Sequence, residues 1–374
     1  MSSPNVHELT LKPITAHSFN GDRTKLAVCP NDTSVDIYNT SSPNWTVEAT
    51  LKDHDKIVTG IDIAPNSNRI VTCSQDRNAY VWTQENGVWK PALVLLRINR
   101  AATYVRWSPN EDKFAVASGA RAISVCYFDE DNDWWGSKHL KKPIRSTVLS
   151  VDWHPNNVLL ASGSADMKAR VFSAFIKGVD KKPPPTVWGD KLPFNTVCGE
   201  FQSGRGGWVH TVSFSPSGDV LAFAGHDSCI NIAYPNADGN PTVITVATPS
   251  LPYLSLFWAN EQQIVAAGHD CAPVLFETSN QQDWHYTGSL DENKKKVSTT
   301  SSVLSRFKTM DSRGQSDNDT DLNTIHQNTI LEVRPYAGTR DNVTQFSTAG
   351  VDGKIVVWDF DPSRVAKDMS ALRV

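Results

Sequence analysis

The sequence contains no apolar run of about 18 residues, so no membrane-spanning helix is expected. It has no Cys-x-x-Cys pair, no Cys/His set at metal-ligand spacing, no glycine-rich phosphate loop and no nucleophile elbow. Its six cysteines (29, 73, 126, 198, 229 and 271) are scattered, mostly inside apolar, strand-like runs. They read as small buried hydrophobes in a reducing compartment, with no disulfide, metal or cofactor expected. Charge of one sign is also lacking. Lys and Arg total 36 against 40 Asp and Glu, for a net charge of −4, so overall charge recruits neither nucleic acid nor an anionic membrane. The stretch from Met1 to Glu8 has no basic segment leading into an apolar run, so no signal peptide is expected.

What the chain has is a repeated phrase: an apolar strand ending in an aromatic, a Pro, a turn, a second apolar strand, an Asp turn, and a third strand closing on an aromatic. One copy runs from Val151 through Trp153, Pro155 and Asp166 to Phe172. The Asp position falls at 32, 76, 121, 166, 227, 270 and 352. Proline cannot continue a central ladder, so it ends each first strand and opens a hairpin. A period of about 40–45 residues built from four short strands marks a WD40-type propeller. The expected fold is all-β: one seven-bladed WD40 β-propeller over residues 1–374. Blades bury their faces only by stacking, so the chain forms a single closed domain. The segment from His7 to Pro13, with Leu9 and Leu11 alternating, is expected to close the ring by joining the last blade, whose third strand is Lys354 to Phe360.

The turn carboxylates Asp76, Asp166, Asp227, Asp270 and Asp352 have two readings. The pairs His226–Asp227 and His269–Asp270 look like acid–base dyads. Yet an Asp recurring with the blade period suits a structural turn that gathers backbone N–H groups. On that reading His226 and His269 anchor hairpin turns through buried hydrogen bonds. Blade 3 carries Arg121 at the position and needs another solution.

The period breaks twice. Between Asp166 and Asp227 lie about 16 extra residues with Lys181-Lys-Pro-Pro-Pro185, a stiff solvated connection. Before the last blade, an insertion over 291–327 is polar enough to be partly disordered. Inside it, near 303–311, Val303, Leu304, Phe307 and Met310 have amphipathic helical spacing. A short helix between polar arms either docks or remains an inert loop. Blade 3 and its exit loop are locally basic, with Arg97, Arg100, Arg106, Lys113, Arg121, Lys138, Lys141, Lys142 and Arg145 around Trp134-Trp135. This is either a solvated face with local ion pairs or a site for an acidic peptide with an aromatic anchor. Trp45, Trp89, Trp134, Trp188 and Trp284 sit in loop-like sequence, suggesting exposed apolar surface and an obligate complex.

Longer words in the chain resemble one family. Asp76-Arg-Asn-Ala-Tyr-Val-Trp82, Leu96-Arg-Ile-Asn-Arg-Ala-Ala102, Asn132-Asp-Trp-Trp135, Gly207-Trp-Val-His210, Ala267-Gly-His-Asp-Cys-Ala-Pro-Val-Leu-Phe276 and the stretch from Lys142 to Leu160 are similar to the WD-repeat subunits (subunit 1) of the actin-related protein 2/3 complex. The resemblance runs from about residue 13 to 360. It implies a non-enzymatic scaffold and regulatory subunit in a seven-subunit assembly that nucleates branched actin filaments. It implies a place in the cytoplasm, in the actin cytoskeleton of cortical patches, with no nucleic acid or membrane partner. In the family the insertion helix reaches toward actin or an actin-related subunit, and Arg306-Phe-Lys-Thr-Met-Asp311 matches its pattern. The propeller there helps bind acidic tails of nucleation-promoting factors, which makes Arg100, Arg106, Lys141, Lys142 and Arg145 the expected contacts. Two other classes compete. A generic adaptor, such as a ubiquitin-ligase substrate receptor or histone-tail reader, often carries a further ligase motif, and none is present. An enzyme on a propeller needs converging ionisable residues in the central channel.

Overall fold

The computed structural model describes residues 3–190, 192–235, 241–291 and 322–361. Strand Lys113–Ser118 shows how the sequence builds the ring, for every residue in it is buried. A pleated strand sends alternate side chains to opposite faces. Phe114 and Val116 therefore meet Ala64, Val71 and Val81 of the preceding sheet. Ala115 and Ala117 meet Val151, Trp153 and Leu160 of the following one. Burial on both faces is what an uninterrupted apolar run requires. The same arrangement gives seven apolar clusters, one at each junction between neighbouring sheets.

Each sheet has four antiparallel strands, a to d from the channel outward. Blades 1 to 6 span residues 16–51, 58–94, 102–140, 148–201, 209–247 and 253–289. Blade 7 combines Ile330–Thr339, Asn342–Gly350 and Lys354–Asp359 with the N-terminal strand Asn5–Glu8. The ring thus closes between the two ends of the chain, but not with the expected residues. The closing strand is Asn5–Glu8, in register with Lys354–Val357. Leu9 instead turns into the blade 7–blade 1 cluster, and Leu11 is fully exposed. The Leu9/Leu11 alternation belongs to a connector, not to a strand.

A feature invisible in the repeat recurs at the head of strand a. In blades 2 to 7 the pairing with strand b slips by one residue, at Thr59, Thr103, Leu149, His210, Leu254 and Leu331. A bulge of this kind re-aims a side chain. In two of them the freed hydroxyl reaches the next blade: Thr59 Oγ1 donates to the Ala102 carbonyl (2.9 Å) and Thr103 Oγ1 to that of Val148 (2.6 Å). Further along, the Trp107 and Phe214 amides donate to Asp62 and Asp152, both at 2.8 Å. The inner strands are stitched to one another by side chains as well as packed.

The insertion residues 292–321, with the expected helix near 303–311 and Val303, Leu304, Arg306, Phe307 and Met310, lie outside the described residues. At the end of the expected insertion, His326 and Gln327 are bonded to blade 7: His326, fully buried, meets Asp352 (3.0 Å) and Thr348 (2.7 Å), and the Gln327 amide donates to Asp352 (2.9 Å). The extra segment before blade 5 packs too: Trp188 is 4% exposed, and its indole donates to the Gly218 carbonyl (2.8 Å).

Candidate interaction surfaces

Among the described residues no group of three or more His, Cys, Asp and Glu is placed to hold a metal. The recurring turn carboxylates make local bonds. In blade 2, Asp76 meets His54 Nδ1 at 2.7 Å and accepts the Asp55 and Asn78 amides. His54 Nε2 lies 2.8 Å from Thr72 Oγ1, which also accepts the Trp82 indole N–H (3.0 Å). Blade 7 repeats the chain: Asp352, His326, Thr348 and Trp358, with contacts of 3.0, 2.7 and 2.9 Å. Burial pushes the pKa of His54 below its ordinary value, against the pull of Asp76. A neutral ring that donates from Nδ1 to the carboxylate and accepts the threonine hydroxyl satisfies every partner.

The other turns are held differently. Asp166 accepts Arg170 Nη1 (2.9 Å) and the Arg145 amide (2.8 Å). Burial works against its charge, but these bonds outweigh that and hold its carboxyl below the usual range. Asp227 is met by the Ser203 hydroxyl and the Cys229 amide, and Asp270 by the Leu251 amide. The anchoring histidines are His54 and His326, in place of His226 and His269. His226 is exposed, its ring against His210 (3.1 Å), and His269 Nδ1 faces Thr329 Oγ1 (3.2 Å). The sequence signal is a weak one: a His stands 22 residues before Asp76 and 26 before Asp352, but His7 also stands 25 before Asp32 without making this contact.

The structure splits the basic residues of blades 3 and 4. Lys113 is fully buried against Asp180, at the foot of the blade 4 extension. Arg106 lines the channel on strand a. Its guanidinium meets Glu332 at 2.9 Å, Asp62 at 3.8 Å and the Tyr104 hydroxyl. Arg334 bonds the same two carboxylates, at 3.0 and 2.6 Å. His17 Nδ1 adds a contact to Glu332 at 3.1 Å. Arg106 is thus spent on a largely buried ion network and is withdrawn from the surface cluster, because its place on strand a leaves the side chain 18% exposed and beside two carboxylates. Burial raises the Asp62 carboxyl to about 6.

Arg100, Arg121, Lys141, Lys142 and Arg145 remain exposed and share one end of the strands. The connectors bearing them rest on neighbouring turns. The Gly119 amide donates to the Ala101 carbonyl (2.9 Å), and the Ala165 amide to that of Thr147 (2.8 Å). A Cβ built on Gly119 would lie 3.3 Å from Arg100 Cβ and 3.8 Å from Thr147 Oγ1, so the two connectors adjoin.

Trp134-Trp135 does not complete this surface. Trp135 is buried between blades 2 and 3. Trp134, under the Arg97 guanidinium, starts the strand that ends at Leu140, about 20 Å away at the usual strand rise. Large exposed apolar side chains on the same end include Met167 (43% exposed) and Trp208 (55% exposed). Met167 Sδ lies 3.8 Å from the Cβ position of Gly206, and the Trp208 ring is 6.3 Å from that of His226. Of the five loop tryptophans expected at the surface, Trp188 and Trp284 are buried, Trp45 and Trp89 are half-buried, and Trp134 is exposed.

The family model for the WD domain, G-beta repeat matches residues 45–83, 138–173 and 196–232. A relative named "Actin-related protein 2/3 complex subunit 1", from Schizosaccharomyces pombe, is 52% identical over 378 residues, covering 96% of this chain and 100% of that protein. The Xenopus laevis protein "Actin-related protein 2/3 complex subunit 1A-B" is 52% identical over 358 residues, covering 95% and 96%. The Saccharomyces cerevisiae protein of the first name is 42% identical over 379 residues, covering 94% and 96%.

Proposed function

Because the chain belongs to the actin-related protein 2/3 complex subunit 1 family, we propose that it is a non-enzymatic scaffold and regulatory subunit of that complex. It supports nucleation of branched actin filaments from the cortical actin cytoskeleton, and it docks acidic tails of nucleation-promoting factors. The observation that carries this is full-length similarity combined with a free cationic strip on a protein whose net charge is −4. Arg100, Lys141, Lys142 and Arg145 supply long-range attraction, and Trp208 with Met167 offers an apolar contact for an aromatic residue of the tail. Buried aromatics carry most of the affinity in such contacts, while rim charges set the rate of encounter.

The other partners are the remaining subunits of the complex. The insertion helix reaches actin or an actin-related subunit, with the stripe Val303, Leu304, Phe307 and Met310 entering a groove and Arg306 at its edge. A segment of about nine residues is marginal as an isolated helix, so it folds on its partner.

One experiment tests the whole. The chain is purified in its native particle, and branch formation is compared between wild type, a Phe307→Ser/Met310→Ser variant and a Lys141→Glu/Lys142→Glu/Arg145→Glu variant. Both variants are expected to assemble normally. The first should branch slowly at every activator concentration. The second should need more activator to reach the same rate. A wild-type chain that elutes as a free 41.2 kDa monomer from native extract sinks the complex membership itself. Wild-type branching by both variants sinks the two contact surfaces.

A further inference from the structure

We propose that the channel mouth opposite the cationic strip is a second, separate anion site, fitted to a phosphate group of a small soluble molecule. Arg23, Arg106, Arg334 and Arg340 line one cavity of about 430 Å³ there. An adjoining space of about 300 Å³ shares Arg23, Arg334 and Arg340. These volumes suit a small ligand. Arg23 lies in the a–b turn of blade 1 and Arg340 at the tip of the long blade 7 hairpin, at the ends of the strands away from Lys141 and Arg145.

Three carboxylates belong to this network, Asp152 and Asp62 in the lining and Glu332 outside it, and each is engaged. Asp62 takes Arg334 and the Trp107 amide. Glu332 takes Arg106, Arg334 and His17. Asp152 takes the Phe214 amide. Four guanidinium groups therefore face three carboxylates, and a positive charge is left over. The surplus is located at particular atoms. Among the described residues Arg23 donates to the carbonyls of Asn20 (2.6 Å) and Tyr336 and bonds no carboxylate, with Asp22 acting on it only at longer range. Arg340 makes no hydrogen bond or ion pair among the described residues, and feels Asp152 only at longer range. The forks of Arg23 and Arg340 match the geometry of a phosphate group. A space of about 430 Å³ fits a compact ligand, whereas the carboxylates of an extended peptide are better met on the open strip.

The test is calorimetric titration of the full chain with inorganic pyrophosphate in metal-free buffer. Binding in the millimolar range or tighter is expected. Arg340→Gln should weaken it about tenfold or more, the weight of one charge-assisted hydrogen bond, with partial recovery in Arg340→Lys. Lys141→Glu/Lys142→Glu/Arg145→Glu should bind as wild type does. Pyrophosphate should also shield Arg340 of the unaltered chain from phenylglyoxal, a measurement that needs no variant. The proposal is overturned by no binding at roughly 5 mM, by unchanged affinity in Arg340→Gln, or by loss of binding in the strip variant alone.

Discussion

Arg106 and Arg145 stand 39 positions apart in the same basic stretch of sequence, yet they do opposite work. Arg106 is held by Glu332, Asp62 and Tyr104 inside the channel. Arg145 is exposed, and only its backbone amide is engaged, by Asp166. The difference comes from the element beneath each residue. An inner strand fixes its side chains against six other inner strands, so a charge there must find a countercharge or destabilise the ring. A connector between blades rests on neighbouring turns by its backbone and leaves its side chains to water. Composition assigns both residues to one cluster, whereas energetics divides that cluster into a structural half and a half free to bind.

The largest expected effect breaks the buried half. Glu332→Ala leaves Arg106 and Arg334 short of an anion, so stability should fall by about 3–5 kcal/mol. Urea denaturation measures it, and a loss below about 1 kcal/mol would mean the network is not desolvated as described.

Next comes acid. His154 is held at about 4 by burial, with the charge of Arg340 adding to it. The unfolded chain takes up that proton near the ordinary histidine value of about 6.5, while the folded chain refuses it until about 4. Stability is therefore lost as pH falls through this window, by up to an amount on the order of 3 kcal/mol. His154→Gln should flatten the melting temperature between those pH values. An unchanged slope would assign the acid sensitivity elsewhere, with His54 and His210, also lowered, as the next candidates.

A smaller effect separates the anchoring histidines from the exposed one. His326→Ala removes bonds to Asp352 and Thr348 and should cost about 1–3 kcal/mol. His226→Ala should stay within about 0.5 kcal/mol. Equal losses would erase the distinction between the blade 7 and blade 5 turns.

The smallest stability effect belongs to the free half. Reversing Lys141, Lys142 and Arg145 should leave the melting temperature nearly unchanged. Association with an acidic peptide should slow, and its salt dependence should flatten. Trp208→Ala should raise the dissociation rate instead. If neither binding rate moves, acidic tails dock elsewhere on the ring.

The repeat was legible because each blade must solve the same local problem. Proline ends a strand, an Asx turn reverses the chain, and apolar runs fill both faces of a sheet. These requirements are written within about 45 residues and recur, so blade number, strand order and ring closure follow from spacing. His54 and His326 were harder to see, since two copies among seven blades make a weak period. The closing strand was misplaced by a few residues, because alternation at Leu9 and Leu11 imitates a strand where the chain only crosses an edge.

What the sequence determines alone is the fold and the family, since both rest on patterns contained in single blades or in contiguous words. Tertiary structure alone decides which charges meet. Glu332 reaches Arg106 across 226 positions, and Arg334 reaches Asp62 across 272. Closure of the ring sets these pairings, because it brings seven inner strands around one narrow channel, and no local rule encodes which side chains then face one another. The exposed strip has the same origin in reverse. Lys141, Lys142 and Arg145 stay free because the carboxylate beside them, Asp166, is already held by Arg170.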